Sequence, residues 1–587
     1  MRYLLTYSFL FACLQSFASA KDARPNIIVM MVDDMGFAGP SCAPYGNPHY
    51  KTPGMDRLAA EGMRFTDFHS SGTVCSPTRA GLLTGRYQQR VGVEAVIHPH
   101  ADHPEHRKGL HESEVTFAEL FKDAGYATGI VGKWHLGYAK ENPEFHPQNH
   151  GFDYFKGYHS GNIDYINHWG DHMEHDWWHG RKETVEAGYT THLINQYALE
   201  FIEQNKDEPF CLYVAHESPH SPVQGPDDPV QRGPGAKKRT TPHAEAMKQM
   251  ILEMDKGVEL VRAKLVELGL EKNTLFLFFS DNGDSPGTAT GHPTHRGHKG
   301  SVYEGGTRVP AIAWWPGKIE PGASTDALSI TLDIMPTILS VAGINALAGR
   351  TLDGVDLSPV LLEKKTPAER PLFWGSLSNG GARSEALRHG PWKLVVQHPK
   401  AKPGTFDNER VELYRLDKDP GETTDLAAQE PDRAAAMLKQ VKDWYAETQK
   451  TATPQPGGWL NAKAASRKPK QPAVPQTAGK SRPNILFICT DDQAPWALGA
   501  SGNKQAITPH MDHLVSQGAY LVNSFVSTPV CSPSRAATLT GRYGYEAGVR
   551  NWVQFGKAAN GQGIDPKSVT SAELLKQGGY STSLIGK

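Results

Sequence analysis

The sequence has few cysteines, almost no net charge and no long apolar run. Six cysteines in 587 residues are too few for a disulfide framework in an exported chain of this size. A formal net charge of −2 gives no general basis for binding nucleic acid or an acidic membrane. No segment reaches the roughly 20 apolar residues of a transmembrane helix. With 39% hydrophobic residues, the composition is that of a globular protein, which excludes disorder of the whole chain.

The N-terminus predicts an export signal. Arg2 precedes an apolar stretch from Leu4 to Leu14, and the small residues from Ser16 to Ala20 provide a cleavage site after Ala20. Lipid attachment at Cys13 is the weaker alternative, because the residues before it fit that motif poorly. We therefore expect a periplasmic or secreted protein without a transmembrane segment.

Part of the sequence occurs twice. Arg24 to Asp34 (RPNIIVMMVDD) recurs as Arg482 to Asp492 (RPNILFICTDD). The block that begins at Cys75 (CSPTR, followed by LTGRY) recurs at Cys531 (CSPSR, followed by LTGRY). The order and similar spacing of both blocks indicate two copies of one structural unit.

The second copy stops at Lys587, the counterpart of Lys133, so we interpret it as incomplete in this chain. It has no counterpart of any residue that follows Lys133, and we predict that it is inactive. A segment rich in Pro, Ala and Lys between the copies is typical of a linker. The predicted division is a signal peptide (1–20), a catalytic domain (21–370), a small C-terminal subdomain (371–450), a linker (451–480) and the N-terminal part of a second domain (481–587).

Short, continuous apolar runs alternate with amphipathic helical patterns in the first copy. Such runs are typical of buried parallel strands. They are Asn26–Val32, Ala127–Val131, Phe210–Ala215 and Thr274–Ser280. Strands joined by long helical crossovers predict an α/β fold with a doubly wound, mostly parallel sheet and flanking helices. After residue 371, shorter alternating segments and a polar helix predict a small α+β subdomain.

Polar residues directly follow these runs. Asp33 and Asp34 follow the first run, and Asp281 and Asn282 follow the last. Because the carboxyl ends of parallel strands form the ligand crevice of open α/β sheets, we expect these side chains to converge. Carboxylate and amide oxygens favour a hard cation, Ca²⁺ with Mg²⁺ as the alternative. A helix cap or tight turn explains either pair taken alone, so the prediction depends on their convergence.

Five sequence blocks lie at or near these strand ends in a fixed order. The first is CSPTRAGLLTGR, which begins at Cys75. The others are Gly132–Gly137 (GKWHLG), Ser218–Pro222 (SPHSP), Ser280–Gly283 (SDNG) and His298–Gly306 (HKGSVYEGG). In these blocks the sequence resembles the type I, formylglycine-dependent sulfatases of the alkaline-phosphatase-like superfamily, over residues 24–450 and again in the second copy.

The resemblance implies a sulfuric ester hydrolase that removes sulfate from an organic ester, for which we favour a carbohydrate. It implies that Cys75 is oxidised to formylglycine, which is hydrated and held at the metal as the nucleophile. Besides residue 75, the implied metal ligands are Asp33, Asp34, Asp281 and Asn282. A formylglycine-generating or anaerobic maturation enzyme is the implied partner, and no nucleic-acid partner is expected.

The resemblance also assigns roles to five polar residues. Arg79 stabilises residue 75 and its developing charge, and Lys133 and Lys299 bind sulfate oxygens. His220 serves with Lys299 at the leaving-group oxygen, and His135 takes the proton when sulfate is expelled. These roles agree with elementary chemistry, because cations and a metal stabilise the negative charge that develops on a sulfate ester in the transition state.

Residues 145–181 form the segment in which we expect substrate specificity to lie. It contains five histidines between His159 and His179 and the aromatic residues Tyr158, Tyr165, Trp169, Trp177 and Trp178. Flat aromatic faces among hydrogen-bonding groups suit a sugar ring. A transition-metal site made of these histidines, and plain packing of the aromatic rings on the domain, are the alternatives.

Two other functions compete with the sulfatase hypothesis. A phosphodiesterase or phosphonate monoester hydrolase of the same superfamily would use a similar site. A non-catalytic protein that binds sulfated glycans is the second alternative, against which the presence of Lys133, His135, His220 and Lys299 argues.

Overall fold

The computed structural model describes residues 24–98, 104–288, 290–377, 382–398, 409–455, 483–522, 524–549, 553, 563–565, 568–577 and 580–584. The predicted signal peptide and most of the predicted linker lie outside these residues. The chain divides into two compact units at residue 464. Each unit is described by itself below.

A mixed sheet of ten described strands forms the centre of the first unit. These strands are β1 (Asn26–Val32), β2 (Met63–Phe65), β4 (Ala127–Lys133), β5 (Tyr154–Tyr158), β6 (Trp178–His179), β7 (Lys182–Glu183), β8 (Phe210–Ala215), β9 (Thr274–Ser280), β10 (Ala311–Trp314) and β11 (Ala323–Thr325). Two short strands, β3 (Phe68–His69) and β12 (Ser329–Ile330), pair separately. The order across the large sheet is β11-β2-β10-β9-β1-β8-β4-β5-β6-β7.

The central strands are parallel, as the continuous apolar runs predict. β1 pairs in parallel with β8 and β9, with Met31 opposite Ala215 and Val32 opposite Ser280. Successive residues of β1 enter separate apolar clusters, Ile27 in one and Ile28 in the other, and both are buried. Because both faces of the sheet are covered, the strand has no polar side. The register places the residues that follow these three strands at the same edge of the sheet.

Helices cover both faces of the sheet. They are α1 (Pro53–Glu61), α2 (Cys75–Thr84), α3 (Gln88–Val91), α4 (Phe117–Asp123), α5 (Thr190–Gln204), α6 (His243–Glu267), α7 (Glu304–Thr307), α8 (Ile334–Ala342) and α9 (Ser358–Glu363). The helix predicted before β9 is α6, and its apolar face packs with α5 against the sheet. Gly257 interrupts that face where Asn195 of α5 packs against it, since a Cβ there would lie 2.0 Å from Asn195 Oδ1.

A four-stranded antiparallel sheet with one long helix follows the α/β domain. The strands are β13 (Leu372–Leu377), β14 (Arg383–His389), β15 (Trp392–His398) and β16 (Arg410–Arg415), and the helix is α10 (Pro431–Lys450). Leu394 and Val396 of β15 and Val441 of α10 belong to their shared apolar cluster. The predicted fold class is therefore confirmed, including the small C-terminal α+β subdomain.

The second unit contains helices but no strand among its described residues. Its helices are α11 (Pro509–Gln517), α12 (Cys531–Thr540) and α13 (Ser571–Gln577). Ile485, Leu486 and Phe487, which correspond to buried residues of β1, are 60%, 85% and 66% exposed. In the first unit β1 pairs with β8 and β9. The sequence from residue 483 to 587 contains no counterpart of either strand, which is the physical reason for the exposure of these three side chains.

No described helix in either unit is both long and apolar enough to cross a membrane. The five cysteines among the described residues are all free.

Candidate active site

The acidic and amide residues that follow β1 and β9 lie together. Asp34 adopts a left-handed backbone conformation, with φ 67°, and its N–H donates to Asp281 Oδ1 at 3.0 Å. Asn282 Nδ2 donates to Asp34 Oδ1 at 2.8 Å. Asp33, Asp34, Asp281 and Asn282 are all at most 2% exposed. The structure thus brings together the four oxygen-bearing side chains that the sequence placed at strand ends.

This cluster has the properties of a cation site. Asp281 Oδ2 and Asn282 Oδ1 are buried, and no described residue donates a hydrogen bond to either. One ligand atom each from Asp33, Asp34, Cys75 and His220 lies within 4.8 Å of the others. Burial and the neighbouring charge of Asp33 raise the pKa of Asp281 well above its ordinary value. A divalent cation would satisfy the orphaned oxygens and offset the repulsion between the carboxylates.

Cys75 is the first residue of α2 and faces this cluster. It is 1% exposed, and its Sγ lies 3.4 Å from Asp33 Oδ1 and 3.3 Å from Lys299 Nζ. Burial and Asp33 raise the pKa of the Cys75 thiol, but the charges of Lys133 and Lys299 outweigh them and hold it well below its usual range. The N-terminus of α2 adds a partial positive charge at the same place.

Three cations surround the carboxylates. Arg79 Nη2 lies 3.2 Å from Asp33 Oδ2, and Lys133 Nζ forms an ion pair with the same oxygen. Lys299 Nζ lies 2.5 Å from Asp34 Oδ1. Although burial raises the pKa of Asp33, these cations, above all Lys133, hold it well below its usual range. Cations and carboxylates are therefore interleaved in this buried cluster.

Tyr213 also belongs to the site, although the sequence gave no signal for it. It lies in the apolar run of β8, and its hydroxyl accepts a hydrogen bond from Arg79 Nη1 at 3.3 Å. The same nitrogen donates to the backbone oxygen of Lys133 at 2.8 Å. Two neighbouring strands therefore hold the Arg79 guanidinium in place. A tyrosine in a buried strand is so common that only the packing of α2 reveals this contact.

The two predicted histidines approach the cluster from different strands. His135 follows β4, and its Nε2 bonds to the Ile97 carbonyl at 3.0 Å. Burial lowers the pKa of His135, which keeps the ring neutral. His220 follows β8, and its Nε2 lies 3.6 Å from Asp34 Oδ2. His216, which directly follows β8, instead bonds through Nε2 to Asn195 Oδ1 at 3.0 Å.

The aromatic residues of segment 145–181 do not form the sugar platform that we expected. Tyr158, Tyr165 and Trp177 are at most 1% exposed. Trp177 stacks on His168, with ring centroids 4.3 Å apart, so these rings belong to the core. Trp169 and Trp178 alone are partly exposed in this set. The expectation was wrong for three of the five rings because burial depends on contacts that the local sequence does not show.

The candidate metal groups among the described residues do not include the histidines of this segment. The structure therefore gives no support to the transition-metal alternative. A second group, Asp67, His69 and Glu304, is already neutralised by cations. Arg388 Nη2 lies 2.6 Å from Asp67 Oδ2, and Lys393 Nζ lies 2.8 Å from Glu304 Oε1. It is an ion-pair network between the α/β domain and the C-terminal subdomain.

The fold and the clustered site define a hydrolase of the alkaline-phosphatase-like superfamily. The profile of the family described as Sulfatase matches residues 25–344 and 483–587. A second profile, described as N-sulphoglucosamine sulphohydrolase, C-terminal, matches residues 297–450. The chain therefore belongs to the sulfatase family, and it is a sulfuric ester hydrolase.

Individual relatives agree with this assignment. The chain is 34% identical to mouse N-acetylgalactosamine-6-sulfatase, over 74% of this chain and 88% of that protein. It is 33% identical to human arylsulfatase A, over 71% of this chain and 86% of that protein. The crystal structure of Ps i-CgsB in complex with k-i-k-neocarrahexaose is similar, with a TM-score of 0.64 and 26% identity, and covers 73% of this chain and 94% of that chain.

Proposed function

We propose that the first unit hydrolyses a carbohydrate sulfate ester, with Cys75 as the precursor of a formylglycine nucleophile. The observation that carries the proposal is the position of Cys75. Its Sγ lies at the N-terminus of α2, within 3.4 Å of both Asp33 Oδ1 and Lys299 Nζ. A nucleophile formed there meets the proposed metal ligands and a cation that can bind the ester.

The proposed metal ligands are Asp33, Asp34, Asp281, Asn282 and residue 75, and Ca²⁺ is the cation we favour over Mg²⁺. When both groups are present, formylglycine supplies a hydrated aldehyde as nucleophile, and the metal neutralises charge on the sulfate oxygens. Because Lys133 and Lys299 reach Asp33 and Asp34, their ammonium groups are close enough to share the sulfate oxygens with the metal. Arg79 fixes Asp33 and stabilises the charge that develops at residue 75.

Two groups are placed to move protons in this proposal. The neutral ring of His135 has its Nδ1 buried, and its side chain interacts with that of Cys75, so it can accept the proton released when sulfate leaves residue 75. His220 is accessible at the mouth of the site, with 13% of its side chain exposed. Together with Lys299 it can donate a hydrogen bond to the ester oxygen as the alcohol departs.

The carbohydrate part of the proposal has support from relatives. One relative is named for a sulfated amino sugar, and the Ps i-CgsB structure holds an oligosaccharide. We further infer export through the N-terminal signal, because residues 1–20 have the required pattern. Formation of formylglycine then requires a formylglycine-generating or anaerobic maturation enzyme in the host.

Rates on matched esters test the proposal. The purified protein is assayed with an aryl sulfate, with sulfated monosaccharides of defined position and with the corresponding phosphate esters. We expect hydrolysis of the sulfates, and a mass change of the Cys75 peptide that corresponds to formylglycine. A large preference for phosphate esters would instead support the phosphodiesterase alternative. Unmodified Cys75 and no hydrolysis, in a host with a maturation enzyme, would support a binding protein.

A further inference from the structure

A polar cluster lies beside His135, outside the proposed catalytic residues. Gly161 packs against the His135 ring so closely that a Cβ on Gly161 would lie 2.8 Å from Cε1 and Nε2. The next residue, Asn162, donates from Nδ2 to Asp171 Oδ2 at 3.4 Å. Asn162 Oδ1 accepts a hydrogen bond from Arg232 Nη1. An amide, a carboxylate and a guanidinium therefore meet next to the proposed proton acceptor.

The backbone that carries Arg232 is fixed on two sides. Asp164 is fully buried, and its Oδ2 accepts hydrogen bonds from the N–H groups of Arg232 and Gln231 at 3.0 and 2.6 Å. On the other side, the Trp169 ring packs against Gly233, where a Cβ would lie 2.4 Å from the ring. A side chain on a fixed backbone loses less conformational entropy when it binds a ligand.

The Asp171 carboxylate of this cluster is loosely paired and partly exposed. Its Oδ1 is buried and forms an ion pair with His172 Nδ1 at 3.8 Å, and its Oδ2 accepts a hydrogen bond from Asn162 at 3.4 Å. The Asp171 side chain as a whole is 33% exposed, so a ligand can approach it. Because both contacts are long, the exposed part of the carboxylate can accept a further hydrogen bond from a hydroxyl group of a ligand.

The charges of the cluster select the kind of group that binds. Arg232 donates hydrogen bonds, whereas Asp171 accepts them and carries a negative charge. The neighbouring carboxylate disfavours a second sulfate or a carboxylate of the substrate at this place. Adjacent hydroxyl groups of a sugar ring fit both residues, because each hydroxyl can donate to Asp171 and accept from Arg232.

We propose that Asp171 and Arg232 recognise hydroxyl groups of the sugar ring that carries the sulfate ester. They are specificity residues and take no part in cleavage. This inference rests on the proposed function, since it names the residues that bind the sugar hydroxyl groups in the same site. It extends that function by assigning specificity to polar side chains rather than to the aromatic rings of segment 145–181.

The test compares two substrates in two variants, Asp171→Asn and Arg232→Gln. For a sulfated monosaccharide, we expect kcat/KM to fall by about ten-fold or more, because each variant removes a charged hydrogen-bonding group that binds the ring. For an aryl sulfate, which has no ring hydroxyls, we expect kcat/KM within about two-fold of the parent protein. This second assay also reports that the variants fold and that residue 75 is matured.

Matched controls are Asp227→Asn and Lys237→Ala, whose residues are exposed in the same part of the chain, and we expect no change with either substrate. Deoxy analogues of the sugar sharpen the test. The loss caused by Asp171→Asn should disappear with the analogue that lacks the hydroxyl group which Asp171 binds. Equal losses on both substrates would show a structural role, and unchanged sugar hydrolysis would show no role. Either result overturns the inference while the proposed function stands.

The parent protein distinguishes failure of the inference from failure of the proposed function. If it cleaves aryl sulfates but no sulfated sugar, the carbohydrate part of the proposed function is wrong, and the inference falls with it.

Discussion

Lys299 Nζ lies 2.5 Å from Asp34 Oδ1, in a site where Asp34 is also a proposed metal ligand. The ammonium group therefore holds a carboxylate oxygen that a cation would otherwise share. Burial lowers the pKa of Lys299, but Asp34 and neighbouring anions outweigh this and raise it well above its usual value. Lys299 therefore stays charged beside the proposed metal. Because Lys299 is not a proposed ligand, its substitution separates an effect on catalysis from an effect on metal binding.

Lys299→Met should lose activity but retain metal binding. We expect kcat on an aryl sulfate to fall by about 100-fold or more, because a cation that stabilises transition-state charge is removed. Ca²⁺ should still raise the Tm of the variant, since none of the proposed ligands is changed. At a free concentration of 100 times Kd, the stabilisation is about 2.7 kcal/mol, which thermal unfolding with and without chelator measures.

Asp34→Asn is the matched comparison for Lys299→Met. It should lose both the activity and most of the Ca²⁺-dependent rise in Tm, because a charged ligand is removed. If Ca²⁺ raised the Tm of this variant as much as that of the parent protein, Asp34 would not be a ligand.

Cys75→Ser should abolish activity, whereas Cys531→Ser should not affect it. In the first unit Cys75 lies 3.3 Å from Lys299 Nζ, whereas residues 483–587 contain no counterpart of Lys299, Asp281 or His220. We expect Cys75→Ser to abolish hydrolysis of an aryl sulfate and Cys531→Ser to leave the rate unchanged. Residual activity in Cys75→Ser that is lost in the double variant would show that Cys531 takes part.

Glu217→Gln should stabilise the protein at neutral and alkaline pH. Glu217 is 2% exposed, its Oε1 accepts a hydrogen bond from Thr191 at 2.9 Å, and no described residue donates to its Oε2. Burial raises its pKa to about 7. The folded state therefore binds a proton that the unfolded state has released, so this group lowers stability as the pH rises from about 4.5 to about 7.

The amide of Glu217→Gln has no such titration. We expect the variant to exceed the parent protein by about 1–3 kcal/mol in free energy of unfolding at pH 8, and by less at pH 5. Denaturant unfolding at both pH values gives the comparison. If the variant and the parent protein differed in free energy of unfolding by the same amount at both pH values, protonation of Glu217 would not contribute to stability.

Thermolysin should cut the second unit before the first. It cleaves beside bulky apolar residues, and Leu486 and Ile488 are 85% and 71% exposed, whereas their counterparts Ile28 and Met30 in β1 are fully buried. Brief digestion should leave a large fragment that contains residues 24–450 and keeps the aryl sulfatase activity. Cleavage within β1 at the same rate would contradict the difference in packing between the units.

The sequence predicted the strands of the large sheet because their apolar runs are continuous, and this pattern requires burial on both faces. It also predicted that Asp33 and Asp281 meet, since parallel strands place their carboxyl ends at one edge. Tyr213 was missed because a tyrosine in a buried strand has no local pattern that separates a packing role from a polar one.

The sequence by itself determined the repeat, the α/β class and the residue types of the proposed active site. Each of these follows from local patterns: apolar periodicity, spacing and the residues next to strand ends. Only the tertiary structure decided that Trp177 is a core residue and that Asp171 and Arg232 share Asn162. These relationships join residues from separate segments of the chain, and their burial depends on side-chain packing that no local pattern contains.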